Sequence, residues 1–215
     1  MTLITQRIQL AEEYCDYYHQ GQKRKGGNEE PYKVHPREVR DLLVEHGYDD
    51  EATQCIALLH DTVEDTHVDR TKLRNAFGFE IYNGVYTLSN NTITKESEAK
   101  LFNELGVAVS HPIKEGRISN EGYKLRLLFA RDKIKVIKIA DVIRNTQDLS
   151  SLKVSGIEKK LVDSTDFYIP MGRMIDPILT SRLEDNILTY RDSNHFDENF
   201  GINTSLVDKI EQYRR

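Results

Sequence analysis

The stretch ALLHDTVEDT, residues 57–66, places His60, Asp61, Glu64 and Asp65 within six positions, directly after an apolar run. If the helical period continues, His60 and Glu64 share one face and Asp61 and Asp65 another, each pair one turn apart. His60 and Asp61 are adjacent and so point about 100° apart. They can meet on one ion only at the edge of a buried stripe, with other elements supplying further ligands. Two candidates stand where apolar order also breaks: Asp141 follows IKVIKIA as abruptly as His60 follows CIALL, and His35 precedes Pro36 at a loop-to-helix junction. Taken singly, Asp61 could cap a turn, His35 could satisfy a loop carbonyl, and Asp141 could pair with Arg144 or Lys138. Together, two histidines and two aspartates form the mixed nitrogen and oxygen donor set of a divalent transition metal such as Mn²⁺, Fe²⁺, Co²⁺ or Zn²⁺. A metal would also neutralise carboxylates that apolar surroundings otherwise penalise.

The elements that must position these residues read as helices throughout. Leu3 to Tyr18 carries Ile8, Ala11, Tyr14, Cys15 and Tyr18 at three- and four-residue spacings, the stripe of an amphipathic helix. Gly21, Gly26, Gly27 and Pro31 break it. A second helix is expected from Pro36 to His46, ended by Gly47, and a third from about Asp50 to Val63. Short helices should run from Arg70 to Phe77 and from Glu80 to Leu88, separated at Gly78. Residues 90–120 are polar, with a short helix expected near Glu96 to Leu105 and an irregular loop after it. Tyr123 to Arg131 forms another helix, and DKIKVIKIADVIRNTQDL one so apolar around its circumference that it must be central. GIEKKLVDSTDFYIPMGRMID continues as a helix broken at Pro170, and one or two more follow from Pro177 to Arg215. No stretch alternates with period two, so the fold class is all-α.

The 215 residues suit a single domain spanning 1–215, with a core over about 5–180 and a C-terminal helical extension over 181–215. Only two cysteines are present, Cys15 and Cys55, both in apolar helical patterns that suit reduced, partly buried thiols of a cytoplasmic protein. No segment approaches the roughly 18 consecutive apolar residues of a membrane span, so no membrane partner is expected. The net charge of −5 gives no general attraction to nucleic acid. A polyphosphate ligand must therefore be held locally, and the compact basic cluster Lys23, Arg24 and Lys25 in a Gly-rich loop is the candidate. Whether the chain forms a homo-oligomer is left open.

These residues carry a family resemblance. HD at 60 and 61, the upstream histidine of PYKVHP and the later aspartate of KIADVIRN resemble the signature of the HD superfamily of metal-dependent phosphohydrolases. HDTVEDT is more specific: it looks like the (p)ppGpp hydrolase domain of the Rel/SpoT family and the small stand-alone hydrolases similar to the metazoan SpoT homologue. GQKRKGGNEEPYKVHP, NAFGFEI, IKIADVIRNT and DFYIPMGRM extend the likeness over roughly residues 5–180. The resemblance implies an HD-type helical bundle with a divalent metal, usually Mn²⁺, between helices, held by His35, His60, Asp61 and Asp141. By the same likeness Glu64 and Asp65 position and activate the attacking water. Asn145 contacts substrate, Arg24 and Lys25 contact the guanine and phosphates, and Tyr168 lies near the nucleoside.

The implied reaction removes the 3′-diphosphate of ppGpp or pppGpp, leaving GDP or GTP and pyrophosphate, the alarmone hydrolysis of the stringent response. Two departures bear on specificity. YTLSNN, residues 86–91, stands where the family commonly has GVTK, and Val142 and Arg144 replace a lysine and an aromatic of KLADKLYN, which makes Arg144 a further substrate-contact candidate. No synthetase half follows residue 180, so hydrolysis without synthesis is expected. The alternatives are an HD-type nucleotidase, a dNTP triphosphohydrolase or an NADPH 2′-phosphatase at the same metal site, and a non-catalytic nucleotide-binding module.

Overall fold

The computed structural model describes residues 5–24, 30–90, 118–201 and 204–214. The expected helix near Glu96 to Leu105, the loop after it, and Lys25 lie outside these residues. All regular elements among them are helical, as an all-α chain requires. The chain divides into two compact units: Met1–Gln22 with Tyr32–Lys135, and Lys23–Pro31 with Val136–Arg215.

The first unit holds α1 (Gln6–Tyr18), α2 (Val34–Glu45), α3 (Glu51–Leu59), α4 (Thr62–Asp65), α5 (Arg70–Leu88) and α6 (Asn120–Leu128). Its centre is α3, which packs against α1, α2 and α5. Every residue of α3 from Thr53 to Leu59 is buried. Asp50 caps it, accepting from the Thr53 amide at 3.2 Å, and buried Gln54 donates to the Asp49 carbonyl at 2.6 Å. Around α3 stand Ile8, Ala11 and Cys15 of α1, Val39, Leu42 and Leu43 of α2, and Leu73, Phe77, Ile81 and Val85 of α5. Both cysteines are free and buried. Burial pushes each thiol up to about 12, so they serve as apolar filling.

The third helix does not run through to Val63: α3 stops at Leu59 and a separate turn, α4, begins at Thr62. The Thr62 hydroxyl donates to the Leu59 carbonyl at 2.6 Å, the kind of side-chain bond that competes with helical backbone pairing. From Asp61 onward the spacing of one turn survives, because the Asp61 carbonyl accepts from the Glu64 and Asp65 amides at 3.1 and 2.9 Å. The junction at Gly78 is found as expected, as a kink inside α5 with φ +80° and ψ 174°.

The second unit contains most of α7 (Asp132–Thr146), within which the division falls, then α8 (Val154–Asp163), a π-helical turn (Ser164–Tyr168), α9 (Ile169–Arg173), α10 (Pro177–Arg191), α11 (Asn194–Phe200), α12 (Thr204–Glu211) and a 3₁₀ turn (Gln212–Arg214). From Val136 to Ile143 only Lys138 escapes full burial, as the nearly continuous apolar surface of this helix demands. Pro170 does not break the chain as expected. The wider π turn precedes it and relieves the clash that a proline ring makes with the carbonyl four residues back. The tail forms three α-helices rather than one or two.

Gly78 lies in a region of backbone space that only glycine enters readily, while the space around it is open. Gly78→Ala should therefore cost about 1–3 kcal/mol through the backbone alone, measured as a lowered urea midpoint with an unchanged slope.

Candidate active site

Burial continues beyond α3 through His60, Thr62 and Val63 and is interrupted only at Asp61. One donor atom each from His35, His60 and Asp61 lie within 4.8 Å of one another. His60 Nε2 is 2.9 Å from Asp61 Oδ2, and His35 Nε2 is 3.8 Å from the same oxygen. His60 donates its Nδ1–H to the Ala57 carbonyl at 2.8 Å, which fixes the tautomer and leaves Nε2 as the basic nitrogen facing the carboxylate. A lone pair and a carboxylate oxygen at that separation call for a positive charge between them. The donor set of two imidazoles and a carboxylate suits a divalent transition metal. Tyr32, at the loop before α2, donates its hydroxyl to Asp61 Oδ2 and orients that carboxylate.

One turn on, the two acidic residues are held differently. The Glu64 carboxylate accepts from the Asn90 amide N–H at 2.9 Å and from the Asn90 side-chain amide at 3.3 Å. Asn90 in turn accepts from Ile118 N–H at 3.0 Å. Asp65 is exposed, and its carbonyl accepts from Gln22 Nε2 at 2.9 Å. Gln22 Oε1 accepts from His19 Nδ1 at 2.7 Å. Burial holds His19 below its usual pKa, against the bond to Gln22.

In the second unit Asp141 is buried on α7, where it accepts from Lys138 Nζ at 2.7 Å and Asn145 Nδ2 at 2.5 Å. Thus Asn145, expected to contact substrate, also orients Asp141. Arg144 reaches Gln147 at 3.3 Å on the exposed side. The Arg24 amide bonds the Glu30 carbonyl at 3.0 Å beside the single bridge Lys23–Pro31. Tyr168 lies with its ring 6.0 Å from Lys138 Nζ. Burial raises its phenol pKa, opposed by the charge of Lys138. Lys160 is held below the usual lysine range by burial, against the pull of Asp141 and with Lys138, Lys159 and Arg24 adding repulsion.

Tyr32, Asn90, His19, Gln22 and Lys160 are absent from the sequence-based candidates. Lys160 had a signal, since it stands three residues after buried Ile157 and next to buried Leu161, on the edge of the apolar face of α8. Tyr32, three residues before His35, had a weaker one. Asn90 and the His19–Gln22 pair had none, because each acts through a partner distant in sequence.

With this geometry in hand, the likeness to known proteins is specific. The HD domain matches residues 11–173, a span that takes in His35, His60, Asp61, Glu64, Asp65 and Asp141. The chain belongs to the HD-domain family. A protein of Streptomyces coelicolor named GTP pyrophosphokinase is 34% identical over 175 residues, covering 81% of this chain and 18% of the relative. A guanosine-3′,5′-bis(diphosphate) 3′-pyrophosphohydrolase of Aquifex aeolicus is 29% identical over 213 residues, covering 98% of this chain and 27% of the relative. The chain therefore spans only about a fifth to a quarter of these relatives. A solved metazoan SpoT orthologue, described as hydrolysing ppGpp, superposes with a TM-score of 0.66 at 22% identity, covering 89% of this chain and 99% of that one. The solved structure shares the fold of this chain, and the two curated relatives match it over one part of their length.

Tyr32→Phe removes the bond that orients Asp61 without changing the ring. It should weaken divalent-metal binding by about 10-fold, the scale of losing a partner of a metal ligand. Calorimetric titration with Mn²⁺ measures this, and an unchanged affinity would show that Tyr32 does not serve the metal site.

Proposed function

We propose that this chain is a Mn²⁺-dependent phosphohydrolase that removes the 3′-diphosphate of (p)ppGpp, giving GDP or GTP and pyrophosphate. The observation that carries the reading is the convergence of His35, His60 and Asp61 on one point, with Glu64 and Asp65 one turn beyond. The names of its HD-domain relatives supply the substrate. Asp141 enters the ligand set by the family pattern alone.

The chemistry follows from what a phosphate ester resists. Its charged oxygens repel hydroxide, and a divalent metal, when bound, both shields that charge and makes water a better nucleophile near neutral pH. The protein must then orient the attacking water and receive its proton. Glu64, with its carboxylate fixed by Asn90, is suited to orienting the water. Asp65, exposed to solvent, is suited to taking the proton and passing it on. Arg24, Lys25 and Lys160 supply positive charge for the phosphates, and an arginine can also stack on a base. Asn145, Arg144 and Tyr168 complete the proposed nucleotide contacts. No helix among the described residues is long and apolar enough to cross a membrane, and with two reduced cysteines the proposed location is the cytoplasm.

Two experiments test the reading. The Mn²⁺-loaded protein is offered ppGpp, GTP, dNTPs and NADPH in parallel and the products are separated. GDP and pyrophosphate from ppGpp support it. Phosphate from NADPH, or triphosphate from dNTPs, would replace the alarmone with another substrate at the same site. Lys160→Gln tests the phosphate role. It should raise KM for ppGpp roughly 10-fold with kcat little changed, the effect of losing one charge-assisted contact made in both ground and transition states.

A further inference from the structure

His19 is an unusual residue to bury at the end of a helix, yet it is 1% exposed. It follows α1 and, among the described residues, makes a single side-chain hydrogen bond, to Gln22. The direction of that bond can be assigned. Gln22 Nε2 donates to the Asp65 carbonyl, so Gln22 Oε1 is the acceptor toward His19 and the histidine proton sits on Nδ1. Nε2 then lies buried without a hydrogen-bond partner among the described residues. The ring stacks beside Tyr32, with centroids 4.9 Å apart and planes 34° from parallel. Gln22 also accepts from the Tyr32 amide through its own carbonyl at 2.9 Å.

These contacts tie the segment after α1 both to Tyr32, before α2, and to the far end of the turn that Asp61 opens. Tyr32 orients Asp61, and Gln22 holds the end of α4, where Glu64 and Asp65 stand. Building on the proposed hydrolase reading, we propose that His19 and Gln22 are positioning residues, fixing the Glu64–Asp65 turn relative to the Tyr32–Asp61 bond. A histidine serves here because it offers one directed N–H to Gln22 and a flat face to Tyr32. Neither residue touches substrate or metal. Their effect belongs to the rate of the chemical step rather than to nucleotide affinity.

The test separates the two contacts. His19→Phe keeps the ring and loses the donor, His19→Asn keeps a donor near the Nδ1 position and loses the ring, and Gln22→Leu cuts the link to Asp65. Hydrogen exchange over residues 62–66 is measured first, since it needs no substrate. His19→Phe and Gln22→Leu should speed exchange there while leaving α3 protected. With Mn²⁺ and ppGpp, each should lower kcat about 10-fold with KM within about 2-fold. The double variant should be no worse than either alone, because both cut the same path. His19→Asn should recover kcat to within about 3-fold of the parent. Losses that multiply in the double variant, exchange at the parental rate in folded His19→Phe, or a change in KM alone would overturn the proposal. If His19→Phe fails to fold, Gln22→Leu with His19→Asn gives the same comparison. A parent that leaves ppGpp intact would end the hydrolase reading, while the exchange result would still decide the positioning role.

Discussion

An aspartate carboxylate held 2.9 Å from Nε2 of one buried histidine and 3.8 Å from Nε2 of another is the constraint that the first unit must satisfy. Both imidazoles are nearly inaccessible, at 2% and 3% exposure, and Asp61 retains only 19%. Bringing a charge to such a place without compensation costs several kcal/mol. The surrounding structure prepares that place rather than avoiding it. The Ala57 carbonyl fixes the His60 tautomer, the Tyr32 hydroxyl orients Asp61, and α3 ends at Leu59, leaving Asp61 the one partly accessible residue between buried His60 and buried Thr62. A divalent cation resolves the remaining conflict, which is why membership of the HD-domain family and the local electrostatics lead to the same chemistry.

The second pair of carboxylates is supported by a different kind of structure. Glu64 is fixed by Asn90, which follows α5, and Asp65 is fixed through its backbone by Gln22, which follows α1. Each of these supports lies far away in sequence and comes from the end of a helix whose own apolar face packs on α3. Packing of the core and orientation of the acids are therefore linked. Helices that bury Ile8, Cys15, Ile81 and Val85 also deliver the residues that hold α4 in place. In the second unit the same economy appears on α7, where a helix buried on nearly every side presents Lys138, Asp141 and Asn145 as one bonded group.

How much of this was legible in the sequence depends on the range over which each signal acts. The helices with strong three- and four-residue apolar spacing were read correctly, as was the junction at Gly78, because glycine there answers a local backbone need. His60 and Asp61 stood out because they follow the apolar run CIALL, and His35 because it precedes Pro36 at a loop-to-helix junction; the structure brings one donor atom of each within 4.8 Å. The end of α3 was not foreseen: Thr62 competes for the Leu59 carbonyl, and apolar periodicity does not register such a bond. Pro170 was read as a break because a π turn has no distinct residue pattern. Asn90, Gln22 and His19 were invisible for a further reason. Their types are ordinary for helix ends and loops, and only the tertiary fold brings them to Glu64, Asp65 and Tyr32.

The central claim is that His35, His60 and Asp61 together hold a divalent metal. Anomalous X-ray diffraction from crystals grown with Mn²⁺ tests it most directly. The account predicts a manganese peak bonded to Nε2 of both histidines and to an Asp61 oxygen, lost in crystals of Asp61→Asn. A peak elsewhere in the molecule, or one that persists unchanged at this position in Asp61→Asn, would contradict it.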